Sequence, residues 1–245
     1  TPSSIAFRGP KMPLTNPQKD AQRKLLQDTL TALQSRRDQR RKTLAGSLQK
    51  WSVELAATVG EQPQTHVMQV VDFKSLGATD THELLDDGSI LLVGNDPPDR
   101  DTYTVAVTTN QPGISAIRLD VLTHDSLPGT GPGRGDATRT NFVLNRVSAT
   151  VSETNGETAR VLEFDSAVAD FEQTNWDVNG VFNDTKNTGW AVAPEFGKPH
   201  WARFMLKEPL DVSESTTISF TLKHDYGGAR SIGRFRLSAV TGNVD

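Results

Sequence analysis

Hydrophobic residues recur at two different periods along this chain, and the change falls near Trp51. Upstream, Leu26, Leu30, Leu33, Leu44 and Leu48 return every three or four residues and Trp51 continues the row, which is the spacing of one helix face. Arg37 and Arg40 interrupt that stripe. Asn16-Pro17 supplies a cap and a first-turn proline. From Pro17 to Lys50 the residues are mostly Gln, Arg, Lys, Leu and Ala, all good helix formers. The pattern predicts one long amphipathic helix, or a helical hairpin broken around Gly46. Residues 1–15 carry Pro2, Gly9, Pro10 and Pro13 and read as a linker.

Downstream the period shortens to two. Ile117, Leu119 and Val121 alternate with Arg118 and Asp120, and Phe235, Leu237 and Ala239 alternate with Arg234, Arg236 and Ser238. Such alternation is expected of strands with one buried face. Strands are predicted at Val67–Phe73, His82–Leu85, Ile90–Val93, Tyr103–Thr108, Ile114–Leu122, Phe142–Thr150, Thr158–Phe164, Trp201–Leu206, Thr216–Leu222 and Gly233–Val240. Asp87-Gly88 marks a hairpin between two of them. Many short strands at this spacing point to a mainly β fold, a β-sandwich of jelly-roll type. The expected organisation is a linker plus basic helix over residues 1–50 and a β-sandwich binding module over residues 51–245.

Charge follows the same division. Residues 1–50 hold 11 Lys/Arg against 3 Asp, a balance of +8, while the remainder holds 15 basic and 27 acidic residues, a balance of −12. An acidic β part is a poor partner for nucleic acid, whose phosphates need a positive footprint. The basic run Arg36, Arg37, Arg40, Arg41 and Lys42 reads as the solvated face of a helix, whose apolar face could dock on the acidic part. No apolar run approaches the roughly 20 residues of a membrane span. No signal peptide is visible; the chain starts on Thr1 and is expected to be a fragment of a longer protein. Cysteine is absent, which excludes disulfides, thiol nucleophiles, zinc-thiolate sites and covalent haem within this segment.

The densest glycine and proline run is Asp125 to Asp136, DSLPGTGPGRGD, between two strand-like segments. Compact domains seldom keep so long a glycine-rich loop unless it is functional. It lacks the Lys-Ser/Thr ending of a phosphate loop, and a strand follows it rather than a helix, so nucleotide binding has no physical basis here. Arg134-Gly135-Asp136 is a tripeptide that chance supplies easily. Histidines 66, 82, 124, 200 and 224 form no metalloprotease pattern, and no nucleophile elbow occurs. Asp and Glu are plentiful, and a scattered surface distribution is the ordinary reason.

The segment Asn175 to Trp190 crowds Asp177, Asn179, Asn183, Asp184, Asn187 and Thr188 together. Hard cations such as calcium take six to eight oxygens, but an Asx-rich turn without metal gives the same composition. Trp176, Trp190, Trp201 and Tyr226 lie near predicted loops. Sugars stack apolar faces on such rings and direct hydroxyls to Asp, Asn, Arg or His; a large aromatic is equally at home in a core.

Four segments together resemble a module of large planctomycete proteins that also carry cytochrome-c-like domains. They are Asp101 to Val105 (DTYTV), Ser126 to Arg134 with Asn141 to Leu144 (NFVL), Thr188-Gly-Trp190 with Gly197 to His200 (GKPH), and Gly233 to Ser238 (GRFRLS). The resemblance covers roughly Trp51 to Thr241. Val161 to Ala239 also resembles the discoidin or galactose-binding-like jelly roll, in which calcium is often held by a turn ending Thr-x-Trp. That likeness implies Asn183, Asp184 and Thr188 as calcium candidates, although this chain has Asn183-Asp184-Thr185 where Asp-Gly-Asp is usual. It also implies an exported, periplasmic or cell-surface protein, with haem-bearing domains elsewhere in the parent chain and neighbouring domains as partners.

The expected function is a non-catalytic, carbohydrate-binding module that tethers its parent protein to polysaccharide. Arg134, Asn141, Trp190, His200, Trp201, Tyr226 and Arg230 are the expected contacts. Arginine would grip hydroxyls or a uronate, bidentately in the latter case. The alternatives are a structural module whose loop motifs fix the fold, and a glycan-active enzyme, for which no acid/base pair stands out.

Overall fold

A computed structural model describes residues 16–58, 62–77, 82–94, 96–135, 140–153, 159–183, 185, 187–212 and 216–244. The predicted linker 1–15, Asp136 at the end of the glycine-rich loop, Thr158 at the head of a predicted strand and the calcium candidate Asp184 lie outside these residues. The described residues form two units that divide between Val59 and Gly60.

The first unit is one helix, α1 (Pro17–Thr58). Asn16 caps it, its Oδ1 accepting from the Lys19 N–H at 3.1 Å. It continues through Gly46 without a break, and past Lys50 by eight residues. The row Leu26, Leu30, Leu33, Leu44, Leu48 and Trp51 is exposed along its length. No helix among the described residues is long and apolar enough to cross a membrane.

The second unit is a β-sandwich of 12 strands in two antiparallel sheets. In chain order they are β1 (Gln64–Val67), β2 (Gln69–Ser75), β3 (His82–Leu84), β4 (Ile90–Leu92), β5 (Asp101–Thr109), β6 (Ile114–Val121), β7 (Arg146–Glu153), β8 (Arg160–Leu162), β9 (Phe164–Ala169), β10 (His200–Leu210), β11 (Thr216–His224) and β12 (Arg234–Thr241). One sheet runs β3-β4-β12-β6-β10-β9, with β1 also on β12; the other runs β2-β5-β11-β7-β8. The free edge of β12 is shared end to end, since β4 pairs with Arg234 and Phe235 and β1 with Ser238 to Thr241. The core lies between the sheets. Tyr103, Val105, Val107, Ile218, Phe220 and Leu222 face Ile117, Leu119, Phe204, Phe235 and Leu237, all buried. The period-two alternation read from the sequence is this inward face.

Two predicted strands are each two strands in different sheets. Val67–Phe73 divides at Met68, which is buried and donates its N–H to Leu237 O at 3.1 Å as the chain crosses. The run ending at Phe164 divides at Glu163, giving β8 and β9. Hydrophobic periodicity reports burial and not which sheet supplies it. The strand predicted from Phe142 starts instead at Arg146. Phe142, Val143 and Leu144 are all buried, because loops cover both sides of them.

Candidate functional site

The loops that matter gather at one end of the sandwich, where β5, β7, β10 and β12 begin and β6 and β11 finish. Asn145, just ahead of β7, holds three of them together. Its Oδ1 accepts the N–H groups of Asp225 at 2.7 Å and Tyr226 at 3.0 Å, and its Nδ2 donates to Thr188 O at 2.9 Å. Its own N–H donates to Lys223 O. Across the loop, Asp99 Oδ1 accepts from Gly228 N–H at 2.8 Å, and Asp99 O accepts from Ala229 N–H at 3.1 Å. The chain at Gly227, Gly228 and Ala229 has positive φ, so the turn between Tyr226 and Arg230 is tight.

This framework presents an aromatic cluster. Tyr226 is 44% exposed. The half-buried Trp176 meets it edge-on with ring centroids 5.2 Å apart, and Arg230 Cζ lies 5.6 Å from the Tyr226 ring centroid. Tyr226 and Arg230 are two of the residues expected from sequence. Trp176, named with the loop aromatics but not among the expected contacts, is brought to Tyr226 by the fold, since it comes from the β9–β10 connection, some fifty residues away in the chain. Asn145 was not anticipated either; an Asn before a strand carries no sequence signal of its hydrogen-bonding role.

Four other expected residues face inward. Trp190 is fully buried, donates its indole N–H to Phe171 O at 2.9 Å, and meets Phe142 edge-on at 5.0 Å. Asn141 is buried, its Nδ2 donating to Gln173 Oε1 at 2.9 Å and its Oδ1 accepting from Val192 N–H at 3.1 Å. His200 is buried with Nδ1 2.9 Å from Asp170 Oδ2 and Nε2 2.8 Å from Glu195 O. Arg134 is buried, and its charge bears on His224 behind the loop. That ring is wholly buried; desolvation, helped by Arg134 and opposed by Asp101, pushes its pKa down to about 3.

The glycine-rich loop is itself packed. Arg134 N–H donates to Ser231 O, Gly133 N–H to Thr140 O, and Gly197 and Gly233 donate to Gly131 O and Pro132 O. A Cβ on Gly133 would stand 2.2 Å from Asn141 O, and one on Gly135 would stand 1.9 Å from Ala229 O. Backbone approach, rather than phosphate, explains the glycines here.

Trp201 lies apart from the loop cluster, on the outer face of the seven-stranded sheet. Arg118 Cζ sits 4.8 Å and Arg203 Cζ 5.9 Å from its ring centroid. In the turn expected to hold calcium, Asn183 is exposed and caps a 3₁₀ turn over Val178–Phe182. The Thr188 hydroxyl bonds Thr185 O, Asp177 accepts from Asn179 N–H, and Asn179 bridges to Ala167. Asp177 Oδ1, Asn179 Oδ1 and Thr185 O thus accept from the protein's own donors. Among the described residues no three His, Asp or Glu side chains are gathered around one point.

Comparisons add little to this geometry. No family model matches the chain, and no curated protein matches it. Among solved structures, the enzymatically active domain of tailspike protein 4 from Bacteriophage CBA120 aligns over 74% of this chain and 19% of its own length, with 10% identity and a TM-score of 0.20. At that level the likeness carries no inference about function.

Proposed function

We propose that this chain is a non-catalytic polysaccharide-binding module and that Tyr226, Trp176 and Arg230 are its contact surface. The observation that carries the reading is an exposed tyrosine, flanked by a half-exposed tryptophan and a guanidinium, on a loop that Asn145 and Asp99 fix in place. The rings offer flat apolar faces for sugar C–H groups, and Arg230 offers donors to hydroxyls. The backbone of this loop is already held by the hydrogen bonds to Asn145 and Asp99, which lowers the entropy cost of binding. In this reading Arg134, Asn141, Trp190 and His200 build the platform and do not touch ligand. The resemblance noted in the sequence adds an exported or cell-surface parent protein, with neighbouring domains beside this one. Affinity electrophoresis against a panel of polysaccharides tests the proposal: retardation on at least one, abolished by Tyr226→Ala, supports it, and no retardation on any glycan ends it.

The burial of those four motif residues also favours a second reading, a structural module between neighbouring domains with no glycan ligand. It gains if the wild-type domain is retarded by nothing and associates with its parent's other domains. Calcium at Asn183, Asp184 and Thr188 has its own test. A ligand bound only by the folded state raises the melting temperature, so an unchanged melt after EDTA removes calcium from the account.

A further inference from the structure

The outer face of the seven-stranded sheet carries a feature that the loop cluster does not use. Cross-strand register places Arg236, Asp120 and Trp201 in one row and Ser238, Arg118, Arg203 and Val168 in the next. Arg118 Nε donates to Asp120 Oδ1 at 2.8 Å, and Arg236 reaches Asp120 Oδ2 at 3.3 Å. Arg236 and Arg234 both also pair with Asp87. Three guanidinium groups, those of Arg118, Arg234 and Arg236, therefore share the two carboxylates Asp87 and Asp120. Arg203 pairs with neither, and its Nε has no hydrogen-bond partner among the described residues. Asp170, beside Trp201, is taken up by His200 and the Trp201 N–H. A local excess of positive charge, centred on a half-exposed tryptophan, stands on a unit that is acidic as a whole.

We infer that this face is a second saccharide site, selective for acidic polysaccharide. The half-exposed Trp201 ring, with Arg118 Cζ 4.8 Å and Arg203 Cζ 5.9 Å from its centroid, would offer its open surface to a sugar ring. Arg203 would take the ligand's carboxylate or sulfate, since a guanidinium matches either in a bidentate fork. Arg118 is positioned by Asp120 and keeps the ring in place. Neutral glycan offers Arg203 only hydroxyl acceptors, which bind a guanidinium more weakly than a carboxylate or sulfate does, so the face discriminates by charge. The inference takes from the proposed function only that the ligand is a saccharide; its site, residues and charge preference are separate.

Affinity electrophoresis with polygalacturonate, dextran sulfate, neutral dextran and polyglutamate tests it, using the whole chain and the variants Trp201→Ala, Arg203→Gln and Tyr226→Ala. Circular dichroism melts verify that each variant is folded, and Arg203→Gln, on a partly exposed side chain, keeps the test valid if Trp201→Ala unfolds. The expected result is retardation on polygalacturonate or dextran sulfate, weakened about tenfold by Arg203→Gln. Which polymer retards the chain tells carboxylate from sulfate. Retardation that survives Tyr226→Ala separates this face from the loop cluster. No retardation on either acidic polysaccharide, equal retardation of wild type and Arg203→Gln, or polyglutamate binding as strong as polysaccharide binding would each overturn the inference.

Discussion

Replacing His224 with leucine should flatten the acid limb of the stability curve. The ring is wholly buried against Tyr103, with centroids 4.7 Å apart, and neither nitrogen has a hydrogen-bond partner among the described residues. Desolvation, aided by Arg134, holds its pKa near 3, against 6.5 when unfolded. The folded pKa is the lower one, so between these values the unfolded chain binds more protons than the folded chain. Stability from this group is therefore present above about pH 6.5 and is lost as pH falls towards 3. Each pH unit in that window costs about 1.4 kcal/mol, or about 5 kcal/mol over the whole of it. By roughly pH 4.5 the loss is about 3 kcal/mol. Leucine is close to histidine in volume and forfeits no hydrogen bond, so at neutral pH the variant should lie within about 1.5 kcal/mol of wild type. Urea melts from about pH 7 to about pH 4.5 measure the difference. Asp87 does not confuse this window. Burial raises its pKa, but Ser89, Arg234 and Arg236 lower it more, so its contribution is lost only below the usual 3.8. Parallel pH curves for wild type and His224→Leu would refute the assignment of a neutral, buried ring.

Gly133→Ala should destabilise the β unit by about 3 kcal/mol, read by urea melt, because its Cβ would meet the Asn141 carbonyl at 2.2 Å and both backbones are fixed. Gly46→Ala should raise helicity at 222 nm and stabilise α1 by up to about 1 kcal/mol, since the site is open and mid-helix. Asn145→Ala should cost about 2 kcal/mol and loosen the Tyr226 loop, seen as faster amide exchange at Asp225 and Tyr226, whose N–H groups would lose their acceptor.

Much of this fold is legible in the chain. The Asn16 cap, the long helix, the Asp87-Gly88 hairpin and the alternating faces of β6 and β12 follow from local chemistry that the structure repeats. The crossings at Met68 and Glu163 do not, because a residue between two sheets has the same hydrophobic context as one inside a strand. At the site, Tyr226 and Arg230 could be chosen as a loop aromatic and a loop cation. Trp190 and His200 have the same composition signal, yet Phe171 O, Asp170 and Glu195 hold them inward. Only three-dimensional pairing tells a ring that stacks on sugar from one that stacks on Phe142. Trp176 shows the converse, since its partner Tyr226 comes from a loop between different strands.

The most direct measurement is a 1H–15N titration of the domain with an oligosaccharide cut from whichever polysaccharide retards it. The account predicts shifts at the Trp176 indole N–H and at the amides of Tyr226 to Arg230, with the Trp190 indole N–H unmoved in its bond to Phe171 O. Shifts confined to Trp190, His200 and the Ser126–Arg134 loop, or none at any sugar concentration, would contradict it.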